Sequence, residues 1–398
     1  MASATLIPLN TLLNRMNRFQ VIETVEEQYK VRDIDEAIRE LRQETLFPWT
    51  LKKSTLRVFE DILIYPTASD HDEIAFFDNA TKSFSLKPRT VFTTLKEFLE
   101  NPSTRNDLTE VWDGGTKMIG LRYNGGNTTS QVLSDAEDDT LYSVSDDATA
   151  VAEEGVVVNE GNTSMRITIV NNAGLATITN TFSSFSDSEY KKKYHFRKIY
   201  LAAVPTSIKL RLRSSAGNYL ETTVTSQFSG QAFKANDWNI IAQDLNTATE
   251  VGTFNSNTIS SEQTLLVGAA SGTYYLDTSS YKGWELLDYW YYSRYLVATD
   301  GATVPNQEYF YDANEQYEGD SALLAESEWA SVFLYTAMYT TVADKESNPI
   351  TAFIQNKLVG AQKRLYEKHP HLKPFFTTSR YAFLTDPMQQ FYGTESQG

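Results

Sequence analysis

The rhythm of apolar and polar positions changes along this chain, and the changes mark out its elements. Between Ile7 and Arg18 the apolar residues Leu9, Leu12, Leu13 and Met16 recur three and four apart, which predicts an amphipathic helix with Asn10 as its cap. A second helix is predicted from Asp33, where Ile34, Ala37, Ile38 and Leu41 share one face and Arg32, Asp35, Glu36, Arg39 and Glu40 stay wet. Pro48 closes it by biasing Phe47 away from helical dihedrals. The period then becomes two. Leu56 and Val58 alternate with Thr55, Arg57 and Phe59, Glu60-Asp61 interrupts, and Ile62 to Tyr65 resumes, the pattern of two strands folded on a short turn. Pro66 ends this ribbon by withholding a backbone donor. Ser69 or Asp70, the latter with Glu73 three residues on, is placed to cap a following helical turn, a reading preferred to a metal site made of Asp70, Asp72 and Glu73.

Further on, Phe84, Leu86, Val91 and Phe92 read as short strands around Pro88, Thr94 to Glu100 as a helical turn or two, and Val111 to Gly115 as a strand with a tight turn. From Lys117 to Asp277, Ser, Thr, Asn, Gly and Asp rise and turn signals recur roughly every ten residues, which predicts an all-β sandwich. Its clearest strands are Ser164 to Val170, Ile199 to Val204, Ser207 to Arg213, Glu221 to Thr225, Asn239 to Leu245 and Thr264 to Gly268. Asp135 to Glu160 is acidic and reads as a loop or a poorly packed edge, with bound calcium as the sharper alternative. Helices are expected again at Trp284 to Val297, Gly319 to Val342 and Pro349 to Glu367. The tail from His369 interleaves Pro370, Pro374 and Pro387 with Phe375, Phe376, Tyr381, Phe383, Phe391 and Tyr392. The prolines forbid one long helix, so these rings need a surface to bury against.

Composition narrows the function. A chain of 398 residues has material for more than one core, and its 23 Tyr, 21 Phe and 6 Trp belong to a folded protein with half-buried contact surfaces. A formal charge of −16 argues against a sequence-specific nucleic-acid groove or an anionic membrane as the main partner; Lys191-Lys192-Lys193 reads as a short solvated run. With no cysteine there is neither a disulfide framework nor thiolate chemistry. The start lacks a signal-peptide pattern and no run reaches the length of a membrane span, so a soluble protein made in a cytoplasm is expected.

Catalytic chemistry finds little support. His71, His195, His369 and His371 lack the helical spacing of a zinc pair, and His369-Pro370-His371 is a weak metal motif, so structural or solvated roles are expected for all four. There is no nucleophile elbow, Walker loop or dinucleotide fingerprint, and Asn124-Gly125-Gly126-Asn127 is a turn, not a phosphate cradle. A glycosidase needs two matched carboxylates, and among 51 Asp and Glu nothing singles out a pair. No enzyme activity and no cofactor are expected.

Two stretches carry resemblances. The helix Asp33 to Arg42, the segment Phe47-Pro48-Trp49-Thr50-Leu51, the ribbon Thr55 to Tyr65 and the turn Pro66-Thr67-Ala68-Ser69-Asp70 together resemble the head-to-tail adaptor proteins of tailed bacteriophages. That resemblance implies a ring, dodecameric in the family, between portal and tail proteins in the virion neck, with the extra length of this chain carried as an insertion. The middle, through Pro205 to Leu212, Ser214 to Tyr219, Phe228 to Phe233 and Asn236 to Leu245, resembles a carbohydrate-binding-module jelly roll. This second resemblance implies glycan contacts at Asn218, Tyr219 and Trp238, although Trp238 in its strand-start context reads better as core and Tyr219 as the exposed ring.

The expected architecture is α+β and multidomain. Residues 1–115 and 283–398 would form one discontinuous α-helical adaptor-like domain with a β-ribbon, and 116–282 an inserted antiparallel sandwich. The expected function is a structural connector of the phage virion whose outward sandwich binds surface glycan, with Phe375, Phe376, Tyr381, Phe383, Phe391 and Tyr392 docking on portal or tail. A capsid or neck decoration, or a receptor-recognition protein binding cell-surface carbohydrate, is the alternative.

Overall fold

The structure, a computed structural model, describes residues 4–44, 46–78, 98, 107–113, 115–122, 130–172, 174–342 and 349–368. In chain order, β1 (Thr5–Pro8) leads into α1 (Leu9–Met16), α2 (Gln20–Glu23) and α3 (Glu27–Glu44). Next come β2 (Leu51–Val58), β3 (Ile64–Pro66), β4 (His71–Asp78), β5 (Asp107–Asp113), β6 (Thr116–Arg122) and β7 (Ser130–Ser134). There follow β8 (Tyr142–Asp146), β9 (Ala148–Glu154), β10 (Ser164–Ile169), β11 (Gly174–Phe185), β12 (Lys193–Leu201) and β13 (Ser207–Ser215). Then β14 (Asn218–Val224), β15 (Asp237–Asp244), β16 (Thr249–Val251), β17 (Ile259–Ala269) and β18 (Gly272–Gly283) complete the long β-rich stretch. Last are β19 (Glu285–Ser293), β20 (Val297–Ala298), β21 (Ala322–Ala325), α4 (Ser327–Val342) and α5 (Pro349–Lys368). The chain divides into two compact units, one of Met1–Lys53, Ser69–Ala75 and Trp290–Gly398, the other of Ser54–Ala68 and Phe76–Tyr289.

In the first unit the predicted helical faces are the buried ones. Leu9, Leu12, Leu13 and Met16 of α1 and Ile34, Ala37, Ile38 and Leu41 of α3 share a core with Trp329 and Phe333 of α4 and Leu358 and Leu365 of α5. The helix α4 is apolar nearly all round because it is the central one. Phe47 meets the Trp329 ring edge-on at 5.1 Å, and the Trp49 indole N–H donates to the Leu324 carbonyl at 3.1 Å. A small antiparallel sheet, β1-β21-β20, lines this core.

The second unit is built on a β-sandwich. Among the described residues one six-stranded sheet runs β15-β12-β18-β10-β9, with β7 also on β18, and the other runs β16-β14-β13-β17-β11-β8. Met165, Ile167, Ile199, Ile241 and Leu276 of the first sheet interlock with Ala176, Ile178, Ile208, Leu210 and Leu266 of the second. The alternation along β13, with Ile208, Leu210 and Leu212 buried between half-buried Lys209, Arg211 and Arg213, is the period-two pattern of a strand with one face inside. A smaller sheet, β3-β6-β5, belongs to the same unit. There Tyr65 is fully buried, its hydroxyl accepting the Phe59 N–H at 3.0 Å and donating to the Ile62 carbonyl at 2.8 Å. Gly120 of β6 has no room for a side chain, since a Cβ would lie 2.8 Å from Val111 Cγ2.

Several expectations are corrected. Pro8, not Asn10, precedes α1; the Asn10 amide donates instead to the Gly319 carbonyl at 3.2 Å. The second helix starts earlier than expected, at Glu27. The ribbon is not a hairpin, because Ile64–Pro66 pairs with β6. Asp70 caps nothing. A strand follows it, and its carboxylate accepts from Lys52 Nζ at 2.5 Å, Ser293 Oγ at 2.7 Å and Tyr291 Oη at 2.8 Å. Burial pushes its pKa up, but these three donors outweigh burial and hold it below the usual carboxylate value.

The aromatic run after Gly283 is strand β19, with Leu287, Tyr289, Tyr291 and Ser293 buried alternately; with Leu286, Trp290 and Tyr292 on the other face, both faces are rich in large apolar or aromatic residues and the run carries little period by which to tell helix from strand. Gly319 to Val342 is helical only from Ser327, after strand β21. Asp135 to Glu160 holds β8 and β9, each at the edge of its sheet. The expected strands at Phe84, Leu86, Val91 and Phe92 lie outside the described residues, as does most of the helical turn around Phe98.

Candidate functional site

On the outer face of the β15-β12-β18-β10-β9 sheet, the register sets Trp238 of β15 beside Tyr200 of β12, and Tyr200 beside Tyr275 of β18. Their direction follows from their neighbours. Asn239 and Ile241, Ile199 and Leu201, and Tyr274 and Leu276 are buried in the sandwich, so Tyr200 and Tyr275, which lie between buried residues, and Trp238, which precedes Asn239 in the same alternation, point out. Tyr200 meets Trp238 at 5.7 Å and 71°, and Tyr275 at 5.4 Å and 78°, a chain of edge-to-face contacts in which all three rings stay partly accessible. With strands about 4.8 Å apart, the row crosses roughly 10 Å of sheet.

Polar groups flank the row. Arg166 of β10 lies opposite Tyr275 and pairs with Glu154 at 3.4 Å, and Lys198 of β12 pairs with Glu160. Burial would raise the Glu160 pKa, but the Lys198 hydrogen bond is the largest influence and holds it down. The other end of this face is closed. Phe59 packs edge-on against Tyr194 and Phe196 at 4.9 Å and Phe228 against Phe196 at 5.1 Å, while Arg57 bonds Tyr194 at 2.6 Å and Asp244 at 2.7 Å. The open part is therefore a strip of aromatic surface bordered by charged hydrogen-bonding groups. Such a strip offers stacking to the C–H face of a sugar ring and partners to its hydroxyls.

The sequence-chosen residues do not meet in one place. Trp238 is on this sheet and points outward rather than into the core, whereas Asn218 and Tyr219 begin β14 of the other sheet. Asn218 holds a turn, its Oδ1 accepting from the Thr253 N–H and its Nδ2 donating to Ser215 Oγ, both at 2.9 Å. Tyr219 carries the Arg211 guanidinium over its ring at 4.4 Å. Tyr200 and Tyr275 were not singled out from sequence. The signal was the alternation Ile199-Tyr200-Leu201 and Tyr274-Tyr275-Leu276, but only strand register makes neighbours of residues so far apart in the chain. Phe375, Phe376, Tyr381, Phe383, Phe391 and Tyr392, with His369 and His371, lie outside the described residues.

His195 is fully buried, its Nε2 lying 2.5 Å from Glu262 Oε2. Among the described residues no group of three or more His, Asp or Glu side chains is arranged to hold a metal ion, and no helix is long and apolar enough to cross a membrane. The first unit has a cleft of about 900 Å³ lined by α3 together with Tyr309, Tyr311, Asp312, Ala313 and Glu315, with Arg32 over the Tyr311 ring at 5.4 Å and Arg39 over the Tyr309 ring at 4.9 Å. Asp35, which also lines it, accepts from the Phe310 and Tyr311 amides, each at 2.9 Å.

No family model and no curated protein matches the chain. Among solved structures it is similar to a family 11 carbohydrate-binding module from Clostridium thermocellum in complex with a β-1,3-1,4-mixed-linked tetrasaccharide, at 14% identity and a TM-score of 0.30 over 39% of this chain and 95% of that one. It is also similar to a family 30 carbohydrate-binding module of a cellulosomal cellulase from the same organism, at 12% identity and a TM-score of 0.32 over 38% of this chain and 96% of that one. A third likeness is to the enzymatically active domain of bacteriophage CBA120 tailspike protein 4, at 16% identity and a TM-score of 0.26 over 38% of this chain and 20% of that one.

Proposed function

We propose that the second unit binds a glycan across the Trp238–Tyr200–Tyr275 row, and that the chain is a structural component of a tailed-phage virion, a ring-forming connector between portal and tail that displays this sandwich. The observation that carries the glycan reading is the row itself, three partly accessible aromatic rings held in register on an open sheet face with Arg166 and Lys198 at its border. The connector reading rests on the resemblance of Asp33 to Asp70 to phage adaptors. Its docking element would be the aromatic tail from Phe375 to Tyr392.

The chain is proposed to bind without cleaving. Affinity electrophoresis of the full chain through gels containing neutral glucans or host surface polysaccharide is expected to retard the wild type and to lose most of that retardation in Trp238→Ala and Tyr200→Ala, with melting temperatures little changed. Equal retardation of variant and wild type, or none for the wild type on any glycan, overturns the glycan reading. Immunogold imaging that finds the protein away from the neck overturns the connector reading. Release of reducing sugar that disappears on replacing one carboxylate would make the chain an enzyme.

A further inference from the structure

The opposite face of the sandwich carries a different chemistry. Along β13, Lys209, Arg211 and Arg213 all point outward, because Ile208, Leu210 and Leu212 between them fill the core. Alternate residues on a strand are roughly 6.8 Å apart, so the three cations form a line of about 14 Å. The register names what surrounds them: Thr223, Glu221 and Tyr219 on β14, and Leu265, Gln263 and Ser261 on β17. Beyond these lie Thr177, Thr179 and Thr181 on β11, and Ser145 and Ser143 on β8.

Of these outward positions Glu221 alone is acidic, and it is shared between Lys209 at 2.9 Å and Arg211 at 2.6 Å. Arg213 donates through Nε to the Ser215 carbonyl at 3.3 Å. In a chain of net charge −16 this face therefore keeps a local surplus of positive charge, set among hydroxyls and amides. Those neutral groups are already aligned for hydrogen bonding. Arg211 Nη1 reaches Gln263 Oε1 at 3.4 Å, and the Gln263 amide donates to Thr179 Oγ1 at 2.9 Å.

We infer that this face is a second carbohydrate site, independent of the aromatic row, and that it takes an acidic polysaccharide. Guanidinium forks and a lysine in line suit carboxylates spaced along a polymer, and the accessible members of the row, Thr179, Thr181, Gln263, Ser143 and Ser145, suit its hydroxyls. A nucleic acid fits less well. Its phosphates are far more densely spaced, at about one charge per 1.7 Å of duplex, and the acidic bulk of the chain repels them. Bases also need open aromatic faces on which to stack, and one side of the Tyr219 ring is covered by Arg211.

The test titrates the full chain with polygalacturonate, with a neutral glucan and with single-stranded DNA, at low and high salt. Polygalacturonate is expected to bind at low salt and weaken with salt. Lys209→Gln with Arg213→Gln should weaken that binding by roughly tenfold or more. Thr223 is exposed and lies opposite Lys209, so Thr223→Glu should weaken binding and Thr223→Lys strengthen it without disturbing the core. Trp238→Ala should leave it unchanged, which separates this site from the aromatic row. The inference is overturned if the wild type ignores polygalacturonate at low salt, if the Thr223 variants do not move its affinity in opposite directions, or if DNA competes as well as the polyuronate.

Discussion

Arg197 and Glu262 join the two sheets of the sandwich from the inside, Arg197 Nη1 on β12 lying 2.6 Å from Glu262 Oε1 on β17, with both residues 1% exposed. Much of the remaining polar capacity is matched, although Arg197 Nε and Asn180 Oδ1 are buried without a hydrogen-bond partner among the described residues. Glu262 Oε1 also accepts from Asn180 Nδ2 at 2.8 Å, Oε2 accepts from Ser279 Oγ at 2.5 Å, and Arg197 Nη2 donates to Tyr142 Oη at 3.0 Å. A buried pair of this kind adds little over a well-packed apolar pair, but breaking it strands a charge in the core.

Acid should therefore unfold the sandwich through Glu262. Burial alone would raise its pKa, but the Arg197 charge and the His195 hydrogen bond outweigh burial and hold it down to about 2. A carboxyl lowered in the folded state stabilises fully above its ordinary value of 4.5, and that contribution is lost as pH falls toward 2. Urea unfolding of the wild type is expected to show a steep loss over that window. In Glu262→Gln the loss should flatten, at a cost of about 3–5 kcal/mol at neutral pH. An unchanged acid limb in the variant would assign the loss to other carboxylates.

The sequence made some of this legible and hid the rest for physical reasons. Helical faces in α1 and α3 were readable because each buries one stripe, and β13 because its inward residues are apolar. The strands β11 and β18 escaped notice because their buried positions include Asn180, Asp277 and Ser279, polar groups whose partners lie elsewhere in the chain: Asn180 Nδ2 and Ser279 Oγ donate to Glu262, and Asp277 accepts from the Asn159 and Glu160 amides. No local pattern announces a partner 82 residues away, as Glu262 is from Asn180. The aromatic row was missed in the same way. Trp238 was visible as a residue, but its neighbours Tyr200 and Tyr275 are set by register alone.

Asp35 predicts the opposite pH behaviour in the first unit. Burial raises its pKa to about 6, more than the Tyr311 and Phe310 amides and Arg39 pull it down. A carboxyl raised in the folded state stabilises fully below its ordinary value of 3.8, and the contribution is lost as pH climbs through about 6. Asp35→Asn removes the titration while keeping an acceptor for the loop amides. The stability difference between variant and wild type should thus shift in the variant's favour as pH rises from 4 to 7, roughly the span between those two values. Urea midpoints at several pH values measure it, and a constant difference would mean that burial does not govern this carboxyl.

Phe59 covers the closed end of the aromatic-bearing sheet face from outside the sandwich strands. It is buried, meeting Tyr194 and Phe196 at 4.9 Å and Phe228 at 5.8 Å. Phe59→Ala should cost about 3–5 kcal/mol, the usual range for removing a buried ring. A fragment of residues 130–283 contains both six-stranded sheets, with their shared core, but lacks Phe59. It should melt cooperatively, since the inter-sheet core is complete, yet bind a hydrophobic dye through the uncovered Phe196 and Phe228 rings. Phe228→Thr in the fragment should reduce that dye binding. A fragment without a cooperative transition would mean that the sandwich depends on Ser54–Ala68 to fold, whereas one that melts cooperatively and binds no dye would mean that the aromatic cluster closes without Phe59.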